Sequence, residues 1–298
     1  MMKKTNAMKV LIAAIVASTA LTACNDEPGP PAPPPAANID SVEQAKIKEL
    51  QKIFFSIPSP VEMASLIKDQ GYKFDKSDLN NPENVDKYTG ESRQAVNLGI
   101  YGADLSYAAM FDEKQETMNY FAAAQKLAKT MGIDGALTGE LITRLDNNQE
   151  HKDSLLAIIS EAYADLNCYL KENQRIEVSA LVVAGGWLEA LHLSCLHAKG
   201  GSEDLRQRIA EQKFALNNLV DYYAKFGDKP VLKEMGDDLL SLQQLFNEAA
   251  KSDGKTTKAA DANGVVTIGT SSTIKMSDQT LQAIATKASE LRSKYISF

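Results

Sequence analysis

Two apolar stretches carry the residues most able to do chemistry. Glu189 and His192 stand three apart, so a helix places a carboxylate and an imidazole on one face. Gly185 lies one turn below Glu189, within the pair Gly185-Gly186. Upstream, Asn97, Tyr101 and Asp104 follow i, i+4, i+7 and form one polar stripe. A carboxylate beside an imidazole can move protons or ligate a metal. If the two helices face each other, Asn97, Tyr101, Asp104, Glu189 and His192 line one polar pocket, with Trp187 on an adjacent face. A hydrogen-bonded network that only orders the helices accounts for the same residues. Either way, a buried carboxylate needs a partner.

Sharper chemical motifs are missing from the sequence. Glu189-Ala190-Leu191-His192 has the Glu-x-x-His form of di-iron bundles, but those need two such motifs. Imelysin-type envelope proteins carry Gly-x-His-x-x-Glu, and Gly186-Trp187-Leu188-Glu189 lacks that histidine. Gly254-Lys255-Thr256 ends like a P-loop without its first glycine or a preceding strand. Asp75–Asp86 is acidic but fails EF-hand spacing, with Leu79 or Pro82 where a ligand belongs. There is no His-Glu-x-x-His and no Gly-x-Ser-x-Gly. No catalytic residue, metal or cofactor is assigned. An enzyme or metal carrier built on Asp104, Glu189 and His192 stands as the alternative to a non-catalytic binding module.

The elements that must position these residues are helices. Apolar periodicity predicts them near Ser41–Phe55, Pro60–Gln70, Ser92–Phe111, Lys114–Met131, Ala136–Asn147, Lys152–Glu172, Glu177–Ala198, Ser202–Phe226, Pro230–Lys251 and Asp278–Ile296. Leu181, Val182, Trp187, Leu188, Leu191 and Leu193 point nearly all round Glu177–Ala198, which marks a buried central helix. Glycines inside a helix cost about 1 kcal/mol each relative to alanine, so Gly185-Gly186 implies a close approach by another helix or a ligand. Gly99, Gly102, Ala103, Ser106 and Ala109 give the other stretch a small-residue side. Phe74–Tyr88, rich in Asp and Asn, reads as a loop. Gly264–Ile268 and Ser272–Lys275 suggest a small β-hairpin, with Asn263-Gly264 leading into it and Ser277 capping the last helix. The expected fold is an all-α antiparallel bundle or stack of helical hairpins over 41–298, with a division into two sub-bundles considered near 135–150.

The N-terminus reads as an address. Lys3, Lys4 and Lys9 precede an apolar run from Val10 to Ala23, the order of a secretory signal and too short to span a membrane. It ends Leu21-Thr22-Ala23-Cys24, a lipobox in which Cys24 is acylated after cleavage. Several acyl chains anchor stably, so the protein is expected on a membrane through lipid on Cys24. Asn25 follows, without the aspartate of an inner-membrane retention signal, and Asp26-Glu27 comes next. The reading is a cell-envelope protein of the outer membrane, periplasmic or surface-facing. Residues 24–40 hold a proline-rich, semi-rigid spacer.

Cleavage takes three lysines and no acid from a chain of 298 residues and net charge −7, leaving 275 residues at −10. Such an acidic body argues against nucleic acid as a partner. A small molecule or another envelope protein is the expected partner. Cys168 and Cys195 fall on consecutive helices that turn near Asn173–Arg175. That places them roughly 20 Å apart along the axis, beyond the reach of about 7 Å that a disulfide allows. Both are expected to be buried thiols.

Three phrases carry a resemblance: FFSIPSP at 54–60, NLGIYGADLSYA at 97–108 and ALVVAGGWLEAL at 180–191. Together they make the middle of the chain, about half of it, similar to a family of all-helical bacterial envelope lipoproteins with no assigned activity. The resemblance implies a helical fold and an envelope location. It carries over no site residue.

Overall fold

A computed structural model describes residues 41–56, 59–198, 202–226, 229–248, 250–251, 257–260, 266–269 and 274–298. The expected signal, Cys24 and the proline-rich spacer lie outside the described residues. The body is all-helical, as the periodicity predicts. Its helices are α1 (Ser41–Ser56), α2 (Pro60–Asp69), α3 (Glu91–Met110), α4 (Lys114–Thr130), α5 (Gly139–Asn147), α6 (Lys152–Glu172), α7 (Ile176–His197), α8 (Glu203–Phe226), α9 (Pro230–Asn247) and α10 (Asp278–Ile296).

Local chemistry sets most of these bounds. Ser59 caps α2 by accepting the Glu62 N–H at 3.1 Å, and Pro60 occupies its first turn. Thr138 caps α5 through Leu141 N–H, so that helix starts at Gly139, three residues past the expected Ala136, and Ser277 caps α10 through Thr280 N–H, the cap expected of it. Gly71 and Gly132 follow α2 and α4 at φ of +79° and +65°, where a side chain would be strained. The turn between α6 and α7 runs through Asn173–Arg175, again as expected.

Helix α7 is the axis of the body. Helices α1, α2, α3, α6, α8, α9 and α10 all pack on it, with α3 the most extensive partner. That surround explains an apolar surface on every side. By length and composition α7 would suit a membrane span, yet its whole apolar window is buried inside the protein. Asp40–Phe298 forms one compact unit. The core, from Leu50 to Tyr295, lies wholly within that unit. The segment therefore holds the burial that stabilises the fold.

Four expectations are corrected. The hairpin over 264–275 is not supported. Val266–Gly269 runs antiparallel to Thr257–Ala260, and Ile274–Lys275 to Ala250–Lys251, rather than to each other. Asn263-Gly264 falls between those two segments in sequence, so the turn signal separates them rather than leading into both. Helix α9 stops at Asn247, four residues before the expected Lys251. Cys168 is exposed, because α6 turns Leu166, Asn167, Leu170 and Lys171 inward and leaves it outside; Cys195 is buried, and both are free. The Asp- and Asn-rich segment before α3 is ordered by two 3-10 turns, Lys76–Asp78 and Pro82–Lys87. It sends Asn80 and Tyr88 into the interior.

Candidate functional site

The two chemically marked stretches are α3 and α7, and they cross at their glycines. A methyl added at Gly99 would overlap the Val182 carbonyl oxygen and sit 2.7 Å from Gly186 N. One added at Gly185 would overlap the Val96 carbonyl and lie 2.9 Å from its carbon. The close approach inferred from Gly185-Gly186 is thus by α3, not by a ligand. This contact brings the polar stripe of α3 against Glu189.

What converges there is a closed network. Asp104 and Glu189 are within hydrogen-bond reach of each other, and both are fully buried. Asp104 Oδ1 and Glu189 Oε1 meet no N–H or O–H donor. Two carboxylate oxygens only accept, so they can bond across this contact only through a proton held between them. Burial first, and the Glu189 charge second, push the Asp104 carboxyl well above the usual range, which favours such a proton. Arg292 on α10 supplies the compensating cation. Its Nε donates to Glu189 Oε2 at 2.6 Å, and its Nη2 to the Asp78 carbonyl at 3.1 Å. Asn80 N–H donates to Asp104 Oδ2 at 3.2 Å. Asn80 Nδ2 donates to Asn97 Oδ1, Asn97 Nδ2 to the Tyr295 carbonyl, and Tyr101 OH to the Asn81 carbonyl. Tyr88 OH completes the set on Asn80 Oδ1. One carboxyl pair, one guanidinium and two amides thereby join α3, α7, α10 and the segment before α3.

The expected pocket is therefore only partly realised. Asn97, Tyr101, Asp104 and Glu189 come together, but each has no exposed surface on which a substrate could act. Trp187 leaves the group: its Nε1 donates to Gln212 Oε1 on α8 at 3.0 Å. His192 lies near enough to feel Glu189 and Arg292. His197, one turn on, shares a hydrogen bond with Tyr107 OH and stands 3.6 Å from Asp78. Among the described residues, no group of three or more His, Cys, Asp or Glu side chains is placed to hold a metal ion. Sequence reasoning missed Arg292, Asn80 and Tyr88. The one signal for them was the demand of a buried carboxylate for a partner, which names no position.

His192 makes the network acid-sensitive. Burial pushes its imidazole down to about 4; Arg292 and His197 act the same way and Glu189 opposes them. The unfolded chain takes up that proton near pH 6.5. Stability from His192 is therefore full above pH 6.5 and lost as pH falls toward 4, by roughly 3 kcal/mol across the window. The raised Asp104 carboxyl acts with opposite sign, costing stability as pH rises through its folded value. Urea titrations from pH 7 to pH 4 are expected to show a shallower acid slope in His192→Gln than in the parent. Equal slopes would mean that the imidazole is not held neutral.

A second feature was not legible in the residue types. An apolar cavity of about 170 Å³ lies among α3, α4, α5 and α6 and the N-terminus of α2. Leu98, Leu105, Phe121, Leu145 and Ile159 form its buried wall. Ser59 and Ser160 stand exposed at its rim. Among the described residues its other polar liners are Ser106 and Tyr163, and no charged side chain lines it. Gly102 opens it from the α3 side. A methyl there would meet only the Tyr163 ring, at an ordinary 3.6 Å.

In comparisons with known protein families, curated proteins and solved structures, the chain matches none.

Proposed function

We propose that this chain is an exported helical protein, tethered to the outer membrane by lipid on Cys24, whose body binds an apolar small molecule. The observation that carries the binding is the cavity among α3–α6. Native interiors leave few voids larger than a water molecule. An engineered apolar cavity of about 150 Å³ stays dry and takes up benzene or xenon. This cavity is of that size and reaches the surface between α2 and α6. The closed carboxyl network serves as the frame, fixing α3 and α7 so that the neighbouring space persists. The tether is supported by the charge, apolar length and lipobox at the N-terminus.

Binding is tested with N-phenyl-1-naphthylamine, whose fluorescence rises in apolar surroundings, on Asp40–Phe298. Saturable one-to-one enhancement is expected in the parent. In Gly102→Leu, which directs a side chain into the cavity, affinity should fall at least tenfold with helicity unchanged. Enhancement of equal size in both proteins would place the probe elsewhere and remove the reading. The tether has its own test in the full chain. Labelled palmitate should enter the parent and not Cys24→Ser, which should leave the membrane fraction; labelling of both would refute acylation at Cys24.

A further inference from the structure

We infer that the cavity among α3–α6 receives the hydrocarbon tail of a single-chain amphiphile, tail first, with the polar end left in water. This rests on the apolar-binding reading above and names its ligand class.

The polar liners argue for pure hydrocarbon inside. Ser59 Oγ is engaged as the α2 cap. Ser106 Oγ donates to the Gly102 carbonyl at 2.9 Å, and Ser160 Oγ to the Leu156 carbonyl at 2.9 Å. Tyr163 OH points to the Val182 carbonyl at 3.5 Å. The hydroxyls of Ser106, Ser160 and Tyr163 donate to the chain's own backbone, Ser59 Oγ accepts from it at the exposed rim, and the remaining described walls are carbon. A ligand group that needs hydrogen bonds would lose its water here and gain little in return.

Shape selects a tail over a compact solvent molecule. The deep end is closed by buried Leu98, Leu105, Phe121 and Leu145, while Pro60, Val61, Ala162 and Ala164 at the outer end are only half-buried. A pocket blind at one end and open at the other accepts a molecule longer than itself. By comparison with the benzene-sized cavity, it holds roughly six to seven carbons. The rest of the molecule, with its polar end, then lies past Ser59 and Ser160. With no charged residue among the described lining, the site distinguishes ligands by tail and not by headgroup.

The test is displacement of N-phenyl-1-naphthylamine from Asp40–Phe298 by sodium n-alkanoates, used below their aggregation concentrations. Each methylene entering the cavity should tighten binding about fourfold. The gain should stop once roughly six to seven carbons are inside. The n-alkyl alcohols should follow the same series, since the headgroup stays outside. Gly102→Leu and, independently, Ala162→Leu should flatten it. Should the probe bind while alkanoates displace it without dependence on length, the tail inference fails and the apolar-binding reading stands. A length series that survives both variants overturns the assignment to this cavity. If the probe itself does not bind, both readings fail together.

Discussion

Gly185→Ala is expected to destabilise the protein by about 3 kcal/mol, at the upper end of what overpacking costs. An alanine at an ordinary helix position gains about 1 kcal/mol over glycine, so the effect is reversed in sign. The reason is the α3–α7 crossing. The added methyl meets the backbone carbonyl of Val96, not a side chain that could turn away. Relief requires the two helix axes to separate, and every side chain packed around the crossing to follow. Gly99→Ala should behave alike, since its methyl meets the Val182 carbonyl and Gly186 N. Gly102→Ala supplies the control: it sits on the same helix, meets only a ring at 3.6 Å, and should be neutral or mildly stabilising. Urea midpoints followed by circular dichroism decide the matter. Midpoints for Gly185→Ala and Gly99→Ala equal to that of Gly102→Ala would mean that α3 and α7 do not touch there.

Arg292→Leu is the second large effect, expected at about 3–5 kcal/mol. Arg292 and Glu189 form a buried ion pair, and removing one partner strands the other's charge. The neighbouring Asp104 sharpens this. Burial and the adjacent Glu189 favour the neutral Asp104 carboxyl, and Arg292 pairs with Glu189. Without the guanidinium the buried Glu189 carboxylate has lost its paired cation. Hence Arg292→Leu should be rescued in part by Glu189→Gln, giving a coupling energy of at least about 1 kcal/mol in a double-mutant cycle. Additive losses would show that the two side chains do not act as a unit. Glu189→Ala alone should unfold the protein or nearly so. Were it to stay folded and lose a measured activity, the frame role assigned to this network would be wrong.

These two effects concern the same architecture. The glycines let α3 and α7 approach, and the approach buries the carboxyls. Arg292 then makes that burial tolerable, and it does so from the last helix of the chain. Arg93 strengthens the arrangement by donating to the Lys294 carbonyl at 2.9 Å near the end of α10. Loosening either contact should therefore expose the other, and combined variants of Gly185 and Arg292 should lose less than the sum of their separate effects.

Much of this was written locally in the chain. The 3.6-residue period of apolar residues placed the helices, and capping residues such as Ser59, Thr138 and Ser277 set their starts, because both act over a few neighbouring residues. The all-round apolar surface of α7 marked it as central. The cost of Gly185-Gly186 announced a close contact, and the spacing of Asn97, Tyr101 and Asp104 announced a polar stripe.

Partner identity was decided only by the tertiary structure. Arg292 stands 103 residues from Glu189 in sequence, on a helix whose surface reads as ordinary. Asn80 and Tyr88 sat in a segment whose composition pointed to solvent. Whether Asp104 and Glu189 faced water or each other depended on how α3 and α7 rotate against one another, which no local pattern encodes. The cavity is of the same kind. Its walls come from five helices, each lending residues that read as plain core, and a void is a property of how surfaces fail to fill space together. Local propensity acts within an element; charge pairing and empty volume arise only between elements, once their axes are fixed.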